Sequence, residues 1–344
     1  MCGIAGFSDF SLDYTASPGK WTEVLNDMNR KQKHRGPDED GTYLDTHCGL
    51  SHVRLSIIDL VSGNQPMTKS IDGRKITIVY NGEIYNMKEL RKDLEEKGVH
   101  FKTTSDTEVI LAGYHVYGVE IVKRLNGIFA FAIWDKWKQK LYLFRDRVGV
   151  KPLFYTIQEK SIVFASEIKG LFSYPKVTPK IDREGLCEVF GLGPAKTYGK
   201  GVFKDVKEVL PGHFLEVSAE KIREVCYWKL ESRPHEDSFE DTVEKTRELI
   251  EKAVKRQMLS DVEICTFLSG GVDSSLVTAI CAKELKKQGK RLTTYSFDFV
   301  DNDINFKAND FQPSEDRPWV DKMVEYAGTD HNYLECNNRD LYRY

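Results

Sequence analysis

"MCGIAGF" (residues 1–7) opens the chain and places a thiol directly behind the initiator methionine, with an apolar run after it. Removal of Met1 would free the α-amine of Cys2. That amine ordinarily titrates near pH ~8, close enough to neutrality to serve as a general base. A thiol and a base on one residue need no separate histidine, which is the logic of an N-terminal nucleophile. Taken alone, Cys2 is better read as a small residue at a permissive position. Its meaning depends on the rest of the chain.

Outward from this start, positions 1–217 read as short strands separated by turns. "ITIVY" (76–80), "GIFAFAIWD" (127–135), "KLYLFRD" (140–146) and "SIVFA" (161–165) are rich in β-branched and aromatic residues. "WDKWKQK" (134–140) joins two of them as a hairpin turn. Trp21, Val24, Leu25 and Met28 fall on one helical face, and "DTEVILAGYHVYG" (106–118) reads as a second helix. The expected arrangement is α+β, two stacked antiparallel sheets between helices. Around 228–237, "WKLESRPHED" is charged and aperiodic, which places a linker at 218–237 between a domain at 2–217 and another at 238–344.

The second domain begins with an S-x-x-D helix start at Ser238 and Asp241, with Phe239, Val243, Ile250 and Val254 near one face. "VEICTFL" (262–268) follows as a buried strand, then "SGGVDSS" (269–275), a helix with Leu276, Val277, Ile280 and Leu285 inward, and "LTTYSFDF" (292–299) as the next strand. A helix is expected in "VDKMVEYAG" and a short strand at 331–335. Strand, glycine loop, helix and strand begin a parallel α/β sheet. Gly270 and Gly271 allow close backbone approach, and the helix N-terminus directs N–H groups and a positive dipole end at an anion. Ser269, Ser274 and Ser275 add hydroxyls. The lysine of a Walker A loop is absent.

With 40% apolar and 30% charged residues among 344, the chain has ordinary globular composition and enough length for two domains. A net charge of -3 offers no basic excess for a phosphate backbone, so nucleic acid is not an expected partner. No stretch suits a membrane span or a signal peptide. Seven scattered cysteines without a CxxC fit reduced thiols and a cytoplasmic setting. The histidines lack metal spacing, and no prosthetic group is expected.

Four further stretches decide between the readings of Cys2: "HRGPD" (34–38), "RLSIID" (54–59), "NGEIYN" (81–86) and "SDTEV" (105–109), and "RDRVGVKPLFY" (145–155) runs on from them. With "FASEIKGL" (164–171) and "LPGH" (210–213) they resemble the class II glutamine amidotransferase domain. SGGVDSS resembles the pyrophosphate loop of ATP pyrophosphatases, and the whole resembles the glutamine-hydrolysing asparagine synthetase family.

That resemblance implies roles. Cys2 would attack the side-chain amide of glutamine, with the Asn81 amide and the Gly82 N–H as oxyanion hole. Arg54 would hold the glutamine α-carboxylate and Asp106 its α-ammonium, while Leu55, Ser56, Ile57, Ile58 and Glu83 would line the pocket. His34 and Arg35 are expected to support the pocket without a direct role. Phe267, Leu268, Ser269, Gly270, Gly271, Asp273, Ser274, Ser275 and Phe299 would bind ATP, with Asp273 orienting phosphate or magnesium. The metal ligands are open. ATP with Mg2+ would adenylate aspartate, and a homodimer is an expectation of the same kind. Family members run well beyond this length and carry an S-G-E-G-x-D-E stretch that is absent here, so the chain is expected to be an amino-terminal part whose ATP domain stops midway.

Overall fold

The computed structural model describes residues 1–310, 313–337 and 339; the terminal "DLYRY" (340–344) lies outside them. The chain forms two compact units, Met1–Ser232 and Arg233–Tyr344.

The first unit contains strands β1 (Gly3–Ser8), β2 (Glu39–Asp45), β3 (Cys48–Arg54), β4 (Met67–Ile71), β5 (Arg74–Ile84) and β6 (Gly127–Asp135). It continues with β7 (Lys140–Arg145), β8 (Phe154–Gln158), β9 (Ser161–Ala165), β10 (Val206–Glu208), β11 (His213–Val217) and β12 (Ile222–Cys226). Its helices are α1 (Pro18–Gln32), α2 (Met87–Glu96), α3 (Asp106–Tyr117), α4 (Ile121–Arg124), α5 (Ile168–Leu171) and α6 (Arg183–Leu192). Two six-stranded sheets result, ordered β10-β8-β9-β1-β3-β2 and β12-β11-β7-β6-β5-β4, and every pairing in them is antiparallel.

Strand alternation explains the layering. Ile4, Leu50 and Phe164 of one sheet meet Val79, Ala132, Trp134 and Leu143 of the other in a single core. The intervening residues Ala5, Phe7 and Val163 point outward and pack on Leu25 and Met28 of α1. On the second sheet, Phe131 and Phe144 are directly paired with ring centroids 4.6 Å apart, and Phe214 lies 5.0 Å beyond. Such ring pairs add about 0.5–1.5 kcal/mol each beyond their burial. The 134–140 turn closes because Asp135 Oδ1 accepts from the N–H groups of Trp137 and Lys138 at 3.1 and 3.0 Å.

The stretch 218–237 is not wholly a linker. Ile222–Cys226 pairs with β11 along its length and extends the second sheet, so the units divide after Ser232. Periodicity over five residues, two of them charged, at a sheet edge is too weak to reveal such a strand.

The second unit holds α7 (Phe239–Gln257), β13 (Cys265–Phe267), α8 (Val272–Lys287), β14 (Thr293–Phe299), α9 (Asn302–Asn305), α10 (Arg317–Ala327) and β15 (Asp330–Cys336). The three strands are parallel, ordered β13-β14-β15. Ser238 caps α7 by accepting from the Asp241 N–H at 3.1 Å.

Three expectations change here. The strand within 262–268 is only Cys265–Phe267, and it is not buried throughout: Thr266 is covered while Phe267 is 74% exposed. Leu276 and Val277 of α8 are exposed, whereas Ile280 and Leu285 are buried. Helix α7 buries no residue. The cause is one-sided covering. Thr266 meets Thr278 of α8 at 2.9 Å, while the opposite parity, Phe267, Phe297 and Phe299, is exposed.

Candidate active site

Cys2 stands two residues before Ile4, on the strand parity that faces the inter-sheet core, and Asn81 stands two residues after Val79 on the parity that faces it from the other sheet. The two sheets thus bring the thiol and the amide to one cavity. Its wall includes Cys2, Arg54, Leu55, Ile57, Ile58, Asn81, Gly82, Glu83 and Asp106. With Met1 in the same wall the open volume is about 60 Å³, room for a few water molecules. Ser56 is the one expected pocket residue that does not line it; its N–H is held by Asp38 Oδ2 at 2.7 Å.

Burial pushes the Cys2 thiol up, and the Leu55 N–H, 3.4 Å from Sγ, acts against that. Arg35 Nε donates to the Cys2 carbonyl at 2.9 Å, and Arg35 and His34 both bond Glu167. "HRGPD" therefore anchors the chain start and the 55–58 loop.

Asn81 is 1% exposed and its Nδ2 has no hydrogen-bond partner. A buried donor left unmade costs about 1–3 kcal/mol, so the fold keeps here a donor available to something bound. Gly82 is required by packing: in the β5–β6 register it opposes Phe129, and a Cβ would run into the Ile128 carbonyl.

Asp106 occupies the first turn of α3, whose cap is Ser105, accepting from the Thr107 N–H at 3.1 Å. Because Ser105 caps the helix, the Asp106 carboxylate is left to face the cavity. Tyr80 Oη donates to it at 2.8 Å and the Ile84 N–H at 3.1 Å. Burial nevertheless raises its pKa to about 6. The preceding loop is pinned by Glu108, which accepts from the Lys102 and Thr103 N–H groups and from Lys69 Nζ.

Arg54 is buried, and both its amino groups are already engaged. Nη1 donates to Glu39 Oε2 at 2.8 Å and Asn64 Oδ1 at 3.2 Å; Nη2 donates to the Ile58 and Asp59 carbonyls. A ligand carboxylate on Arg54 must therefore exchange with Glu39, whose side chain is partly exposed. If Arg54 holds the glutamine α-carboxylate, as the resemblance implies, Glu39→Gln is expected to lower KM for glutamine about two- to fivefold with kcat unchanged, the range that a partly exposed ion pair represents. A raised KM in steady-state kinetics would mean that Glu39 instead helps to hold Arg54.

Residues that sequence reading missed are Met1, Gly63, Gln65, Tyr80, Ser105, Thr107 and Lys151, all of which line the cavity. Tyr80 and Lys151 lie beside or within quoted motifs. Gln65 carried no signal: it bonds the Tyr80 backbone, with Oε1 2.6 Å from the N–H, a contact created only by the fold.

In the second unit, Phe267, Leu268, Ser269 and Phe299 line a cavity of about 380 Å³ with Asp298, Arg317 and Tyr333. The Leu268 backbone is engaged within the sheet, since its N–H donates to Tyr295 O at 2.8 Å and its carbonyl accepts from Ser296 Oγ. Gly270, Gly271, Asp273, Ser274 and Ser275 lie outside that cavity, in the loop and first turn of α8. Gly270 has φ +74°, which favours glycine, and no side chain caps the α8 N-terminus. Ser274 Oγ is 3.1 Å from Ser269 Oγ and donates to the Gly271 carbonyl at 3.1 Å, bracing the loop. Among the described residues no group of three His, Cys, Asp or Glu side chains could hold a metal ion. No described helix is long and apolar enough to cross a membrane.

Two antiparallel sheets with a thiol at the start of an inner strand form the N-terminal nucleophile hydrolase architecture. Residues 1–228 match the family described as glutamine amidotransferase domain, and residues 245–344 match the one described as asparagine synthase. The chain belongs to the glutamine amidotransferase family and continues into an asparagine synthase segment. It is 45% identical over 342 residues to a Bacillus subtilis (strain 168) protein named asparagine synthetase [glutamine-hydrolyzing] 3, covering 99% of this chain and 55% of that one. It is 35% identical to a Gibberella zeae protein named amidase chry2, covering 85% of this chain and 44% of that one. The solved structure of the allosteric regulatory enzyme of purine biosynthesis shares the fold, with a TM-score of 0.51 and 16% identity over 97% of this chain and 80% of that one. The chain spans about half the length of the curated relatives it matches.

Proposed function

We propose that the first unit hydrolyses glutamine at Cys2, and that the ammonia serves an ATP-dependent amidation of aspartate to asparagine. The observation that carries the first half is the unpartnered Asn81 amide sharing a cavity with the Cys2 thiol. After removal of Met1, the Cys2 α-amine takes the thiol proton and Sγ attacks the glutamine amide carbon. Asn81 Nδ2 and the Gly82 N–H receive the developing oxyanion. Ammonia leaves with the returned proton, and water hydrolyses the γ-glutamyl thioester to glutamate. Asp106 accepts the α-ammonium, and Arg54, on release of Glu39, the α-carboxylate.

The uncapped helix N-terminus supports ATP binding at the SGGVDSS loop. Magnesium would accompany the nucleotide. The described residues offer no protein cage for it, and glutamine hydrolysis at Cys2 does not pass through it.

The test is glutamate release from glutamine as a function of pH. Asp106 must be ionised to hold an ammonium, and burial has raised its pKa, so the competent form is lost as pH falls through about 6. KM for glutamine is expected to rise about tenfold per pH unit below that point. Asp106→Asn should remove this dependence and raise KM throughout. A flat KM between pH 5 and 8, values chosen to bracket about 6, would exclude Asp106 from substrate binding.

A second reading keeps the glutaminase and changes the acceptor, which the similarity to a protein named as an amidase favours. Pyrophosphate release with aspartate against other carboxylic acids separates the two.

A further inference from the structure

Lys151 has no task in the hydrolysis carried by Cys2, Asn81, Gly82 and Asp106, yet its side chain is buried in the wall of their cavity. Its backbone is fixed on both sides: the N–H donates to Asp146 Oδ2 at 2.9 Å and the carbonyl accepts from Arg145 Nε at 2.9 Å. The ammonium donates to Met1 Sδ at 3.3 Å, a weak acceptor for a buried cation. Met1 is the residue whose departure the nucleophile requires. Once it leaves, Lys151 faces the new chain start without that partner.

We propose that Lys151 is a positioning residue for glutamine hydrolysis: with Arg35, which grips the Cys2 carbonyl, it sets two cations about the freed Cys2 α-amine and keeps that amine neutral, able to take the proton of Sγ–H. The step balances within one residue, the thiol proton passing to the amine nitrogen to leave a thiolate and an ammonium. The inference rests on the glutaminase reading of Cys2.

The charged groups around this point act in both directions. Arg35 from the segment after α1 and Lys151 from the segment before β8 disfavour an ammonium, as Arg54 at the end of β3 does more remotely. Asp38 before β2, Glu83 at the end of β5 and Asp106 of α3 favour one. The amine of Met1, one residue further out, already reports the balance. Burial holds it below its ordinary value, the Cys2 thiolate opposes, Arg35 and Lys151 add to the lowering, and Asp38 opposes. Lys151 itself is lowered by burial, with Glu83 and Cys2 opposing.

The experiment uses the full chain with Met1 removed, verified by intact mass. Lys151→Met and Lys151→Gln serve as neutral variants and Lys151→Arg as the charge-preserving one. Two quantities are followed against pH: kcat/KM for glutamine, and the rate of Cys2 alkylation by iodoacetamide without glutamine. Losing the cation should move the acidic limb of both profiles up by about one pH unit, so that turnover at neutral pH falls about tenfold and recovers in alkali. Lys151→Arg should return the limb towards its original place. Limbs that stay put in both neutral variants, whatever the loss in rate, overturn the proposal. A wild-type chain that hydrolyses no glutamine, but whose alkylation profile still shifts in Lys151→Met, keeps Lys151's role and overturns the glutaminase reading instead.

Discussion

Replacing Cys2 by alanine is expected to reduce glutamate release from glutamine to background, a loss on the order of 10⁵-fold or more. No second nucleophile replaces it: the cavity wall otherwise offers amides, carboxylates, hydroxyls and an ammonium, none with a thiol's nucleophilicity near neutral pH. The fold should survive. Cys2 precedes β1, and alanine removes only Sγ and its contacts with the Leu55 backbone, at 3.4 and 3.6 Å. The cost is expected to be about 1 kcal/mol or less. Wild-type turnover by the alanine variant, with circular dichroism unchanged, would mean that the nucleophile lies elsewhere. A chain that retains Met1 should be equally inactive, because the methionine blocks the amine and stands in the wall of the cavity proposed for glutamine.

Asn81→Ala should lower kcat by about 10²–10³ with little change in KM, since the oxygen that the proposed oxyanion hole would receive carries charge only in the transition state. Stability separates this from a structural role. Nδ2 has no partner in the folded protein, so its removal strands no neighbouring group and relieves a buried donor worth about 1–3 kcal/mol. The variant is therefore expected to melt at the same temperature as the wild type or higher, a trade of stability for activity. Lower melting together with lower activity would point to a structural amide. An unchanged kcat would remove Asn81 from the oxyanion hole.

Much of this was legible beforehand because the signals are local. The β-branched and aromatic runs at 127–135 and 161–165 match β6 and β9 to the residue. Ser238 announces α7, and the Gly-Gly turn announces α8. The parts that were not legible depend on partners far away in the chain. Strand β12 exists because β11 offers it an edge. Leu276 and Val277 have the spacing of core residues but are exposed, since periodicity states which face is apolar and not whether anything covers it. Arg54 was expected in the pocket and lines the cavity, but its engagement by Glu39 and by the 58–59 carbonyls arises from the pairing of β2 with β3 and the loop folded back over them.

The order of residues alone determined the chemical types: a thiol one residue from the start, an amide followed by a glycine at a strand end, a carboxylate at a helix start, and a glycine loop after a strand. These follow from covalent structure and short-range periodicity, which need no tertiary partner. Only the packed sheets decided which of those groups share a cavity, that Asn81 keeps an unused donor, that Ser105 rather than Asp106 caps α3, and that Lys151 stands behind Met1. Burial, desolvation and hydrogen-bond pairing belong to the environment around a residue, and two stacked sheets build that environment from segments more than a hundred positions apart, as Cys2 and Lys151 are.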